Sequence, residues 1–118
     1  MVTLGPVYDD GVLRMTLVGS PPVLVIDGEI DEDTYPALVQ TLGELMGPAE
    51  IHLNLAGLQY CDLAGLRAMV LLTGASHGGP GRRVILHEVP PPLQAVLGIV
   101  GWDSTPGLVI DDDWAPAS

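Results

Sequence analysis

Ile51-His52-Leu53-Asn54-Leu55 runs into Ala56-Gly57-Leu58-Gln59-Tyr60-Cys61 and then into Asp62-Leu63-Ala64-Gly65-Leu66-Arg67-Ala68-Met69-Val70. The first five residues are apolar enough for a strand in a sheet interior. The Ala-Gly pair turns the chain. Asp62 then stands where a helix N-cap belongs, ahead of an amphipathic run. The spacing predicts a helix over 62–75, with Leu63, Leu66, Val70 and Thr73 on one stripe and Arg67 off it. A helix N-terminus carries free N–H groups and partial positive charge, so it suits a phosphoryl group or an acidic partner.

The same grammar extends in both directions. Upstream, Val23-Leu24-Val25-Ile26 is a continuous run of the kind found in strands covered on both faces. Gly28-Glu29-Ile30-Asp31 leaves it. Asp31, Glu32 and Asp33 then gather at a helix start, where the dipole favours acids. A helix is expected over 32–46, with Leu38, Leu42 and Leu45 on one face and Pro36 in its first turn or so, ended by Gly47-Pro48. Residues 12–18 alternate partly and predict an edge strand, and residues 1–11 a loose arm. Downstream, Gly78-Gly79-Pro80-Gly81 predicts a turn, and Arg83 to His87 a strand. Pro90-Pro91-Pro92 precedes a helix over 93–100 closed by Gly101, and Leu108 to Ile110 forms a short last strand. Residues 111–118 read as an acidic, disordered tail. Strands alternating with helices predict an α/β fold: a mixed sheet of four or five strands with three to four helices packed mainly on one face.

Two short motifs carry a family resemblance. Gly28-Glu29-Ile30-Asp31 after a strand resembles the Gly-Glu-Leu-Asp signature of STAS domains of the anti-sigma-factor-antagonist family. Asn54-Leu55-Ala56-Gly57-Leu58 followed by Cys61-Asp62-Leu63-Ala64-Gly65-Leu66 is similar to that family's central motif. There, Asp precedes a phosphorylatable Ser or Thr, a small residue and Gly-Leu. The resemblance covers roughly residues 12–110 and implies a STAS-like fold. It also implies a non-enzymatic regulatory role in bacterial sigma-factor and transcription control, exerted by docking on an anti-sigma factor, a serine-kinase-like protein or a related signalling protein. The docking residues it implies are Glu29, Asp31, Asn54, Asp62, Leu63, Ala64, Gly65, Leu66 and Arg67. Leu63 stands at the usual phosphoacceptor position and has no hydroxyl, so no phosphorylation is expected there. STAS-like domains also sense small ligands within larger signalling or transport systems, and this is the alternative reading. A homodimer is compatible with either.

Composition bounds these readings. The chain has 118 residues, the size of one domain. Hydrophobic residues make up 47%, with no Phe, so the core must be Leu, Val, Ile, Met and Ala. Net charge is −11, from fifteen acids against four arginines. Only Arg82 and Arg83 are adjacent, which argues against direct binding to nucleic acid or anionic membrane. A basic protein surface would be steered toward such a chain. No apolar run nears the roughly 20 residues that span a bilayer, and the N-terminus lacks a signal-peptide pattern, so a cytoplasmic location is expected.

The remaining candidates for chemistry are thin. One cysteine excludes an internal disulfide and a multi-cysteine zinc site. Cys61 with His52, His77 or His87 would make a thiol–base pair only if one histidine were oriented toward it. The spacing of the three histidines and ten aspartates matches no metal motif, so no metal or cofactor is expected. The glycines at 78–81 follow a helix and lack the Lys-Ser/Thr ending of a phosphate loop. Thr73, Ser76 and Thr34 are poorly placed to replace a hydroxyl at position 63.

Overall fold

The computed structural model describes residues 3–19, 22–44, 50–74 and 82–111. The elements follow in the order β1 (Thr3–Asp9), β2 (Leu13–Val18), β3 (Val23–Ile30), α1 (Tyr35–Glu44), β4 (Glu50–Asn54), β5 (Leu58–Cys61), α2 (Leu63–Leu71), β6 (Arg83–His87), α3 (Pro91–Val100) and β7 (Leu108–Asp111), with a 3-10 turn at Trp102–Ser104. This is the expected mixed α/β fold, with seven strands rather than four or five.

The two additional strands have distinct causes. Residues 3–9, expected as a loose arm, pair antiparallel with β2, so β2 is an inner strand and β1 takes the edge. The Gly and Pro that argued for a loop fall at an edge strand whose register shifts between Thr3 and Gly5 and between Pro6 and Tyr8, where such residues are tolerated. Residues 58–61, expected as loop, form β5.

The sheet order is β1-β2-β3-β4-β6-β7. The first three strands are antiparallel, and β3, β4, β6 and β7 are parallel. β3 is long enough to serve two neighbours. Val23 to Val25 pair with β4, and Gly28 to Ile30 pair with β5, so β4 and β5 occupy successive stretches of the same side of β3.

Alternation divides the sheet into two faces. Leu13, Met15, Leu24, Ile26, Ile51, Leu53, Val84 and Leu86 are buried with Leu38 and Leu42 of α1, Leu66, Met69 and Val70 of α2, and Leu93 and Leu97 of α3 in one cluster. The opposite positions, Val23, Val25, His52, Asn54, Ile85, His87, Val109 and Asp111, share the other face through the same registers. Without Phe, side chains of similar volume fill the core, and a buried Leu to Ala change there costs about 2–5 kcal/mol.

Helix ends follow local chemistry. α1 begins at Tyr35 rather than 32, because residues 31–34 are occupied by a cap. Asp31 Oδ1 accepts from the N–H groups of Asp33 (2.9 Å) and Thr34 (3.0 Å), and Thr34 Oγ1 accepts from Asp31 N–H at 2.9 Å. Residues 45–49, 75–81 and 112–118 lie outside the described residues, as do the expected turn at 78–81 and all of the expected tail except Asp111, which closes β7.

Candidate functional site

The parallel pairing of β3 with β5 brings the two sequence motifs together. Gly28 lies opposite Leu58, Glu29 opposite Tyr60 and Ile30 opposite Cys61, and Asp62 N–H donates to Ile30 O at 3.0 Å. Asp31 and Asp62 therefore leave neighbouring strand ends, each opening the approach to a helix.

Gly28 makes this approach possible. Its φ is +100°, and a Cβ there would sit 2.0 Å from Val12 O. Gly28 N–H donates to Gly57 O, while Glu29 N–H reaches back to Val12 O, both at 3.0 Å. A residue with a side chain would have to push β2 away.

Asp62 is the N-cap of α2, with Oδ1 accepting from Gly65 N–H at 2.8 Å. Its negative charge lies at the positive end of the helix dipole. Leu63 is the first helical residue and is 53% exposed. Ala64 and Arg67 are exposed beside it, and Glu29 and Tyr60 lie side by side on the adjoining strand ends. These side chains compose one surface: apolar at Leu63, Ala64 and Tyr60, acidic at Glu29 and half-buried Asp31 and Asp62, with Arg67 as its cation.

Three of the expected docking residues face inward. Leu66 is 1% exposed and belongs to the core. Gly65 is buried, and a Cβ on it would meet Ile30 Cγ2 at 2.5 Å and Cys61 Sγ at 3.1 Å, so it sets the approach of α2 to β3 and β5. Asn54 is buried too. Its Nδ2 donates to Glu88 Oε2 at 3.0 Å and its Oδ1 accepts from Ala56 N–H at 2.9 Å, which shapes the 54–57 loop. Tyr60, 53% exposed, is a surface residue that the sequence reading passed over. Alternation from buried Leu58 would turn Tyr60 inward; the register shift between Gly28 and Glu29, which sets two steps of β5 against one of β3, turns it out beside Glu29.

The thiol is unsuited to nucleophilic work. Burial, then the Asp62 carboxylate, pushes the Cys61 thiol up to about 12. Its Sγ donates to Asp62 O at 3.4 Å. His52 and His87 contact each other on the opposite sheet face, and His77 lies outside the described residues. Among the described residues no group of three or more His, Cys, Asp or Glu could hold a metal ion, and no helix is long and apolar enough to cross a membrane.

A second surface feature lies between α1 and α2, a shallow groove of about 240 Å³ lined by Tyr35, Val39, Leu42, Gly43, Ala68, Leu71 and Leu72. Its lining carries no charged side chain.

The family model described as "Mlab, STAS domain" matches residues 13–110. The chain belongs to the STAS domain family. Solved structures share the fold. An anti-sigma factor antagonist from Mycobacterium paratuberculosis superposes with a TM-score of 0.60 at 24% identity, covering 92% of this chain and 84% of that one. The anti-sigma factor antagonist SpoIIAA in its unphosphorylated form gives 0.61 at 18% identity, covering 87% and 90%. Apo-SiaC from Pseudomonas aeruginosa gives 0.52 at 15% identity, covering 95% and 100%. No curated protein sequence matches the chain significantly. In this STAS domain the two family motifs, some thirty residues apart in sequence, meet at the paired ends of β3 and β5.

Proposed function

We propose that this STAS domain is a regulatory docking module of the anti-sigma-factor-antagonist type, engaging an anti-sigma factor, a serine-kinase-like regulator or a related signalling protein. Docking uses the surface around the start of α2, and no phosphorylation occurs at position 63. The observation that carries this reading is Leu63, more than half exposed at the first position of a helix capped by Asp62. By the family resemblance a Ser or Thr stands here, and added phosphate would bring about two negative charges to the docking surface. Leucine replaces that switch with a constant apolar contact. Tyr60 and Ala64 extend the apolar patch, and Glu29, Asp31 and Asp62 give it an acidic border suited to a basic partner.

This assigns docking to Glu29, Asp31, Asp62, Leu63, Ala64 and Arg67, joined by Tyr60. Asn54, Gly65 and Leu66 hold the geometry beneath them. Control then rests on the abundance of the protein, a neighbouring domain or a ligand rather than on phosphate at Leu63. Among the described residues the ligand-sensing alternative has the α1–α2 groove, which is open and smaller than the roughly 300–1,000 Å³ of ordinary small-molecule sites.

The test is affinity purification from cells of the source organism with the native chain, Asp62→Arg and Leu63→Asp. An ATP-binding kinase-type regulator retained by the native chain and lost with both variants is the expected result. Incubation of that regulator with ATP should then leave residues 60–67 free of phosphate. Recovery of the regulator by all three chains, or phosphate within that peptide, overturns the proposal.

A further inference from the structure

On the sheet face opposite the helices, β4 and β6 are in parallel register with His52 opposite Ile85 and Asn54 opposite His87. His52 Nδ1 lies 2.8 Å from His87 Nε2, the ring planes differ by 5°, and the centroids are 5.1 Å apart. So short a nitrogen contact at that separation describes rings meeting edge to edge in nearly one plane, not face to face. His52 Nε2 lies 2.8 Å from Glu50 Oε1, and His87 Nδ1 lies 3.6 Å from Asp111 Oδ2. The result is a carboxylate–imidazole–imidazole–carboxylate row across three strands, with His87 1% exposed.

Proton counting decides what this row can do. It contains two hydrogen-bond contacts that each need one proton, Glu50 with His52 and His52 with His87, and a longer ion-pair approach of His87 to Asp111. Two neutral imidazoles supply two N–H groups. These two satisfy both hydrogen bonds, and one proton taken from solvent goes to His87 Nδ1, on the side of Asp111, leaving a single positive charge between two carboxylates. A second proton must place N–H on both nitrogens of the 2.8 Å contact. Two donors then face each other, and two adjacent rings are both charged.

The row is wired to the loop beneath the docking surface. Leu55 N–H donates to His87 O at 3.0 Å. Asn54, opposite His87 in register, is held by Glu88 and in turn holds Ala56 N–H. Gly57 O accepts from Gly28 N–H at the motif glycine.

We infer that His52 and His87 form one proton-sharing unit, a pH-sensitive latch between β4 and β6 that tolerates one added proton and is split by the second, loosening the 54–57 loop. This goes beyond the docking function and does not depend on it.

The charged neighbours are few. Arg83 on β6 is engaged with Glu50 Oε2 at 3.0 Å, which leaves Oε1 to His52. Glu88 follows β6, and Asp111 ends β7. On β3 the facing positions are Val23 and Val25, with Asp27 beyond them. Asp112 and Asp113 lie outside the described residues. Burial, then the neighbouring His52, holds His87 below the usual histidine range, while Asp111 and Glu88 pull the other way. A base with a lowered folded value binds fewer protons folded than unfolded. Stability is therefore retained above about pH 6.5 and falls as pH drops below it.

The experiment is a nitrogen-15 NMR titration of the full chain carrying His77→Gln, which leaves two histidine rings, from pH 8 to pH 5. The two rings should titrate in two shared steps rather than as independent groups. The Leu55 and Ala56 amides should shift with the lower step. In parallel, the native melting temperature should fall by about 5 °C between pH 7 and pH 5, and His52→Gln should lessen that fall, leaving the part set by the burial of His87. Single independent titrations, loop amides indifferent to the lower step, or equal pH dependence in the native chain and His52→Gln each overturn the inference.

Discussion

Gly65→Ala separates packing from docking at the centre of the family motif. On an isolated helix the change is favourable, since alanine is better than glycine by about 1 kcal/mol. Here the added methyl would sit 2.5 Å from Ile30 Cγ2, 3.1 Å from Cys61 Sγ and 3.3 Å from Asp62 Oδ1. Ile30 is fully buried on β3, and its branched side chain has one strongly preferred arrangement, so it has little room to give. Asp62 cannot retreat without stretching its 2.8 Å cap to Gly65 N–H. Three close neighbours place the overpacking cost near the upper part of its usual range, about 2–3 kcal/mol. The clash exceeds the propensity gain, and the net destabilisation is about 1–2 kcal/mol. For a domain of this size that lowers the melting temperature by roughly 4–8 °C. Thermal unfolding at pH 7, followed by circular dichroism, reads it directly. An unchanged or raised melting temperature would mean that Gly65 does not set the approach of α2, and would refute the packing argument.

The neighbouring positions give contrasting outcomes. Asp62→Ala removes the cap and should cost about 1 kcal/mol in denaturant unfolding. By removing a nearby negative charge, it should also speed alkylation of Cys61. In the native chain that thiol, pushed up to about 12, should resist alkylation at pH 9 while the urea-unfolded chain reacts readily. Leu63→Ser, at an exposed site, should move stability by no more than about 0.5 kcal/mol, and with the partner kinase and ATP it should gain one phosphoryl group detectable by mass spectrometry. Gly28→Ala combines a positive φ with a Cβ 2.0 Å from a backbone oxygen, and should destabilise more than Gly65→Ala.

What was legible in the sequence followed from local physics. Periodicity located β3, β4, β6 and the three helices. Asp62 announced its cap because an N-cap needs only its own carboxylate and an N–H three residues on. The absence of a hydroxyl at Leu63 needs no structure at all. Residues 3–9 were misread because Gly5 and Pro6 argue for a loop, and only pairing with β2 overrides them. β5 was missed because four residues do not declare a strand until β3 offers a free edge.

Orientation was the part that no local rule could supply. Gly65 and Leu66 share a motif with Leu63, yet burial against β3 and β5 claims the first two and leaves the third in solvent. Asn54 reads as a polar contact until Glu88, thirty-four residues later, is seen to hold it. His52 and His87 are unremarkable in sequence and become a joined pair only when β4 and β6 are laid side by side. The chain's local order thus determined its helices, cap, missing hydroxyl and every strand but β1 and β5. Parallel pairing, which joins residues far apart in sequence, decided which side chains meet and which remain exposed.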